Sequence, residues 1–269
     1  MKKLVLGSMS LAAMLAGPAI AADMPVKVQA PPPVAYYDWS GAYVGFNIGG
    51  VWTEVDRHYP NLPLLGIQPD YKSKGNDAIY GFHAGAQGQW GQWVLGIEAA
   101  YSAGFKEMQS TVALLPLPDI GPNNEAYNKI TNLFTVGPRL GFAWDRWMIY
   151  GTGGYALATI HGQYRFAGLQ IFPPGAFNFT GHSWNDGWFA GGGFEYMVHK
   201  GALVDVILGA EYQHFDLRSK TAFCLRGCAP SFVFLDFDHG ASGDIVRARL
   251  TIKTQGWGWW EPAPVVAKY

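Results

Sequence analysis

The sequence predicts an all-β fold, an eight-stranded antiparallel up-and-down barrel that crosses a membrane, and three observations carry that prediction. Apolar and polar residues alternate over long stretches, the links between those stretches are short and long in strict turn, and tryptophans gather beside the short links. The clearest stretch runs from Ile130 to Ile160, two long strands joined by Asp145 and Arg146, with Trp144 and Trp147 bracketing the turn. On its first arm the even positions Phe134, Val136, Leu140, Phe142 and Trp144 are apolar, whereas Thr131, Thr135, Gly137, Arg139, Gly141 and Ala143 are small or polar. A period of two means a strand with two unlike faces. The bulky face is the continuous one and the other carries an arginine, the reverse of a barrel with a greasy core in water, so the bulky face is expected to meet lipid.

Taken in order, residues 1–21 read as a signal peptide. Lys2 and Lys3 precede the apolar run Leu4 to Leu15 and the small-residue site Ala19-Ile20-Ala21. That run is shorter than the ~20 residues a spanning helix needs. Residues 22–38, with Pro25 and Pro31-Pro32-Pro33, read as an extended periplasmic leader, because proline fixes the backbone and removes donors. The barrel is placed at 39–254, with strands at Trp39 to Glu54, Asp77 to Gly91, Gln92 to Glu107, Ile130 to Trp144, Trp147 to His161, Asp186 to His199, Ala202 to Leu217 and Gly243 to Thr254. Short turns fall at Gly91-Gln92, Asp145-Arg146 and Lys200-Gly201, and four long loops cover Val55 to Asn76, Met108 to Lys129, Gly162 to Asn185 and Arg218 to Ser242. Short turns inside and long loops outside are the habit of outer-membrane barrels. Residues 255–269 remain as a periplasmic or interfacial tail.

The composition agrees. With 15% aromatic residues, 11 Trp and 35 Gly, the chain suits a barrel with interfacial aromatics and crowded strands. A net charge of -1 and 14% charged residues offer no basic surface for nucleic acid. Trp39, Trp90, Trp93, Trp144 and Trp147 are assigned to a girdle at the short-turn rim, and Trp52 and Trp188 to the opposite rim with Tyr80, Phe105 and Phe134. Cys224 and Cys228 fall in one loop and are read as a disulfide, with a free pair as the first alternative and a metal site, for which no second ligand pair stands nearby, as the last.

Alternation also assigns the inward face. Glu98, Arg139, Glu195 and Arg249 lie at one depth when counted from the short turns, and Glu211, Arg247 and His83 slightly higher; Asp205 faces inward as well. Matched carboxylates and guanidinium groups are expected to fill a lumen that eight strands leave just wide enough for side chains. The inward glycines, Gly81, Gly85, Gly96, Gly137, Gly141, Gly191 and Gly193 among them, are read as leaving room for water. The fifth strand does not resolve into two faces.

Several motifs resemble one family. The mature start Ala22-Asp23-Met24-Pro25-Val26-Lys27, the first-strand motif Asp38-Trp39-Ser40-Gly41-Ala42-Tyr43-Val44-Gly45, and the segments Tyr150-Gly151-Thr152-Gly153-Gly154, Gly209-Ala210-Glu211-Tyr212 and Val246-Arg247-Ala248-Arg249-Leu250 are similar to the small alphaproteobacterial barrels known as outer membrane immunogenic protein. The resemblance implies an eight-stranded barrel like the OmpA transmembrane domain, surface-exposed, antigenic and mostly non-enzymatic, with the barrel-assembly machinery as a partner. It implies no catalytic residues. Two departures stand out. The last strand stops near Lys253-Thr254 rather than on a terminal aromatic, the chain then continuing to Tyr269, and Pro138 interrupts a strand without a free edge, which predicts a local bulge.

No constellation for chemistry emerges. His214, His161, His182 and Ser183 have no spacing that pairs a nucleophile, a base and an acid, and His58, Asp238 and His239 have no metal-ligand spacing. No cofactor and no metal are expected. Apolar runs at Leu62 to Ile67, Val112 to Leu117, Leu169 to Phe172 and Phe232 to Phe237 fall in the loops, where they read either as a partner surface or as strands continuing above the membrane. The expected function is a structural, surface-exposed barrel with four long extracellular loops and a charge-paired, plugged lumen, which supports envelope integrity among outer-membrane lipid and lipopolysaccharide. The alternatives are a small porin or narrow channel and an adhesin or receptor acting through the loops; a monomer is expected.

Overall fold

The computed structural model describes residues 37–58, 70–111, 125–165, 179–221, 223–226 and 238–254. They form β1 (Gly41–His58), β2 (Asp70–Trp90), β3 (Trp93–Ala103), β4 (Met108–Thr111), β5 (Glu125–Trp144), β6 (Trp147–Arg165), β7 (Phe179–Lys200), β8 (Val204–Thr221), β9 (Phe223–Arg226) and β10 (Asp238–Thr254). Eight of these close a ring in the order β1, β2, β3, β5, β6, β7, β8, β10, every pair antiparallel, with β10 returning to β1. The short β4 continues the third stave on β5, and β9 adds to β7. The signal peptide, the leader up to residue 36, the tail 255–269 and Cys228 lie outside the described residues, so the disulfide expectation does too.

Register fixes the tilt. Perpendicular to the strands, Gly45 leads through His83, Ala100, Thr135, Ala156, Gly187, Leu217 and Ala241 back to β1 at Val55, ten residues further on. With ~3.3 Å per residue and ~4.8 Å between strands, that stagger tilts eight strands by about 40°. The ten residues from Phe134 to Trp144 then span about 25 Å of height, the thickness of an outer-membrane apolar band.

Two tight turns form as expected, Gly91 and Asp145 supplying the positive φ (62° and 53°) that such turns need. The third is longer, because β8 starts at Val204 and Gly201 N–H bonds the Val204 carbonyl at 3.1 Å. Pro138 causes no register shift. It faces outward, the Thr152 hydroxyl donates to its carbonyl at 3.0 Å, and the bulge of β5 instead lies between Ile130 and Asn132.

The strands run further than expected at the loop end, to His58 on β1 and back to Asp70 on β2, because their polarity reverses there. Below Trp52, Tyr80, Phe134, Tyr155 and Trp188, large apolar side chains such as Phe82, Leu95, Ile97, Leu140, Phe194 and Ile252 are exposed on the outer face. Above that ring the outer face carries Glu54, Asp56, Lys72, Lys74, Asp186, Arg218 and Lys220, ion-paired across strands. The inner face there is an apolar core that includes Val51, Val55, Ile79, Ile130, Leu133, Ile160, Phe215 and Ile245. The barrel is inside-out only where lipid surrounds it. Above the membrane it is built like a barrel in water.

Trp90, Trp93, Trp144 and Trp147 line the short-turn rim with exposed rings, and Trp52 and Trp188 the opposite one. Trp39 does not join them. It is 0% exposed, packed inside the barrel mouth edge-on against Tyr37, with ring centroids 5.1 Å apart. Its backbone accepts from Gln87 Nε2 at 2.8 Å and donates to Gln89 Oε1 at 2.7 Å, and its indole reaches across to the Asp145 carbonyl at 3.3 Å. Burial of that large ring outweighs an interfacial position. Phe105 also turns inward, into the upper core, after Gly104 (φ 102°) breaks the alternation between β3 and β4.

Candidate functional site

The site with the greatest concentration of chemistry is the middle of the lumen. The inward positions of five strands converge there: Glu98 from β3, Arg139 from β5, Glu195 from β7, Glu211 from β8, and Arg247 and Arg249 from β10, all buried. Arg139 bridges Glu98 at 3.3 Å and Glu195 at 2.6 Å. Arg249 donates twice to Glu98, at 2.8 and 2.6 Å, pairs with Glu211, and lies 3.6 Å from Glu195. Arg247 pairs with Glu211 through Nε and Nη2 at 3.0 and 2.5 Å. Three carboxylates thus face three guanidinium groups, and Arg249 joins the two layers that depth alone separated. Forked donors make this geometry possible.

Two tyrosines complete the cluster. Tyr43 donates to Glu98 at 2.8 Å and Tyr150 to Glu211 at 2.6 Å, while the Arg139 guanidinium sits 3.6 Å over the Tyr150 ring. Glycines let them reach. Tyr43 crosses Gly85, and Tyr150 crosses Gly193, each lying where a Cβ on the glycine would stand. His83 likewise lies over Gly45 to reach the Thr251 hydroxyl at 2.9 Å. At Gly85 and Gly193 the expectation of room for water is overturned: the missing side chain is replaced by a neighbour's ring.

Apolar layers bound the cluster on both sides. Below are Trp39, Val94, Ala143, Met148, Met197 and Ile207; above is the core around Ile79, Phe189, Phe215 and Ile245. A charged interior, an apolar midsection outside and a closed ring of tilted strands are the requirements of a barrel in lipid. Residues 9–238 match the outer membrane protein beta-barrel domain family. The chain belongs to that family. The 31 kDa outer-membrane immunogenic proteins of Brucella melitensis and Brucella suis are each 28% identical to it over 229 residues, covering 81% of this chain and 88% of theirs. Among solved structures, the attachment invasion locus protein Ail of Yersinia pestis is similar at 13% identity, covering 78% of this chain and 99% of Ail, with a TM-score of 0.30. The outer membrane protease OmpT of Escherichia coli is similar at 9% identity, covering 82% and 99%, with a TM-score of 0.43. Superposition at that level bears on neither the site nor its chemistry. This outer-membrane β-barrel protein resides in the outer membrane of a Gram-negative bacterium.

Within it, the structure gathers six of the eight lumen residues expected from sequence. His83 makes no ion pair among the described residues; it is drawn across Gly45 toward Thr251. Asp205 lies lower, where it accepts from the Tyr37 hydroxyl at 2.6 Å and pairs with Lys253 at 3.4 Å. Lys253, Tyr37, Tyr43 and Tyr150 are the residues that sequence reasoning missed. Lys253 was within reach of it, being in phase with Arg247 and Arg249 on one strand. Tyr150 was not, since outward Gly151 and Gly153 blur the two faces of β6, whose inward residues are Met148, Tyr150, Ala156, Ala158 and Ile160.

Proposed function

We propose that this outer-membrane β-barrel protein is a structural, surface-exposed and non-enzymatic component of the envelope, whose lumen is sealed rather than conducting. The observation that carries the reading is the stack of layers: a buried, mutually paired ion cluster between two apolar ones. An ion entering such a lumen meets these apolar layers, and the buried polar groups set among them, Asp205 with Lys253 below and Ser183 with Asn185 above, are paired with each other. Opening it requires breaking pairs whose loss strands buried charge and displacing Trp39 below and Phe215 above. Rigidity of this kind serves a wall component whose useful surface is its outside, and outer-membrane lipid, lipopolysaccharide and the assembly machinery are the partners it implies.

A narrow channel is the second reading, favoured by the buried side-chain amide of Asn47, whose oxygen and nitrogen both lack a partner among the described residues. A file of water could serve such a group. Conductance of the refolded mature protein in a planar bilayer decides between them. A silent barrel that conducts only after Arg139→Ala or Glu98→Ala supports the sealed lumen; steady conductance of the unaltered protein supports the channel. The loop-borne adhesin reading depends on segments outside the described residues, and loop deletions that leave attachment to cells unchanged would sink it.

A further inference from the structure

The outer face of β10 above the membrane carries small residues between taller walls. Ser242 and Gly240 face outward, Glu54 and Asp56 of β1 stand opposite them on one side, and Asp216 of β8 stands opposite Ser242 on the other. One wall is braced by Lys72 and Lys74, bonded to Glu54 at 2.8 and 3.0 Å; beyond the other, Arg218 lies 3.4 Å from Asp186, which also holds Lys220. Two hollows of about 380 and 450 Å³ follow this line and share Ser242, so they form one trough up the strand.

The lower end of the trough opens at the membrane boundary. There Asp244 accepts from the Tyr212 hydroxyl at 2.6 Å and is bonded by His214 Nδ1 at 2.9 Å, with Trp52 on the next strand and Trp188 against the His214 ring at 5.5 Å. Asp244 is thus a carboxylate fixed by two partners at the lipid edge, beside an exposed indole.

We infer that this trough holds the sugar headgroup of an outer-leaflet glycolipid whose acyl chains lie on the apolar face below. Carboxylates aimed into a groove accept hydrogen bonds from hydroxyl groups, and a flat indole packs on a sugar ring. The basic side chains of the walls are already held by Glu54, Asp56 and Asp186, so among the described residues the groove offers no unpaired cationic cluster for a polyanion. Asp216 makes no hydrogen bond or ion pair among the described residues and is available to a ligand. Position selects a lipid-borne sugar over a free one, because the lower end lies level with the aromatic ring at the leaflet edge. The inference rests on the outer-membrane placement and is independent of whether the lumen conducts.

The test uses the refolded mature protein in phosphatidylcholine nanodiscs, titrated with purified lipid A, with lipid A stripped of its phosphates, and with phosphatidylglycerol, read by native mass spectrometry and tryptophan fluorescence. Saturable one-to-one binding of both glycolipids, and not of phosphatidylglycerol, is expected. Ser242→Trp, which fills the trough floor, and Asp244→Asn should each weaken it by about tenfold or more. Asp216→Asn is a second probe should the tryptophan variant lose its heat-sensitive gel shift. Binding confined to the phosphorylated form and lost in Lys72→Gln would replace sugar recognition by phosphate recognition. Absence of saturable binding, or undiminished binding by the folded variants, overturns the proposal.

Discussion

The lower and upper halves of this barrel share strands, hydrogen-bond ladder and tilt, yet they invert each other. Between the two aromatic rims the outer face is Phe82, Leu95, Ile97 and Leu140 while the inside holds Glu98, Arg139 and Arg249. A few residues up the same strands the outer face is Glu54, Lys72 and Asp186 while the inside holds Val55, Ile79 and Phe215. The backbone is indifferent to the change because a strand offers two faces, and the solvent on each side decides which one is apolar. The lesson is that a transmembrane strand ends where its polarity reverses, and not where its hydrogen bonds do.

The largest effect expected from breaking the lower half is that of Arg249→Ala. It leaves Glu98 without its principal partner and Glu211 with Arg247 as its remaining guanidinium, and loss of one member of a buried ion cluster costs of order 3 to 5 kcal/mol. Denaturant unfolding in micelles should show it, or the variant should fail to give the heat-sensitive gel shift. Ile97→Arg tests the outer face of the same half. A charge in the lipid midplane costs roughly 2 to 4 kcal/mol, whereas Asn76→Arg, on the outer face above the rim, should fold like the unaltered protein. If both substitutions prove equally mild, the boundary drawn at Trp52 and Trp188 is wrong.

The upper half responds as a core in water does. Ile160 is fully buried there, and Ile160→Val should cost about 0.5 to 1.5 kcal/mol, with faster amide exchange confined to the upper ends of β5, β6 and β7. Acid gives the smallest effect, and also an upper-half one. Burial, and then the neighbouring His182, hold His161 below the usual histidine range. The folded state therefore favours the neutral ring; its contribution is complete above the ordinary pKa and is lost as pH falls toward the lower folded value. Lys72 holds the Glu54 carboxyl, and Lys220 that of Asp186, below the usual carboxylate range, so those pairs persist to lower pH and fail only as it falls through the depressed values. Hydrogen exchange between pH 7 and 5, corrected for intrinsic rate, should rise first beside His161. Uniform change around the barrel would contradict the assignment.

Much of the lumen was legible in the chain. Parity carried from the short turns placed Glu98, Arg139, Glu195, Glu211, Arg247 and Arg249 inside at neighbouring depths, because a strand rotates its side chains by a half turn per residue whatever surrounds it. The same parity puts Trp39 inside with Tyr43, in phase against Val44, Phe46 and Ile48; the frequency of tryptophan at short turns pointed the other way and misled. Phase was lost where Gly104 interrupts β3 and β4, and at the bulge between Ile130 and Asn132. It was never available along Gly151 to Gly154, where both faces are small.

By itself, then, the sequence determined an eight-stranded membrane barrel, the inward face of the strands whose alternation is unbroken, and the family to which it belongs, since alternation and turn length are local properties that read directly from neighbouring positions. Only the tertiary structure decided who meets whom. The ten-residue stagger brings Arg249 beside both Glu98 and Glu211, glycines on intervening strands let Tyr43 and Tyr150 reach carboxylates two strands away, and ring closure sets the walls of Glu54 and Asp216 on either side of Ser242. Those contacts depend on how far each strand slides past the next, and no single strand carries that information.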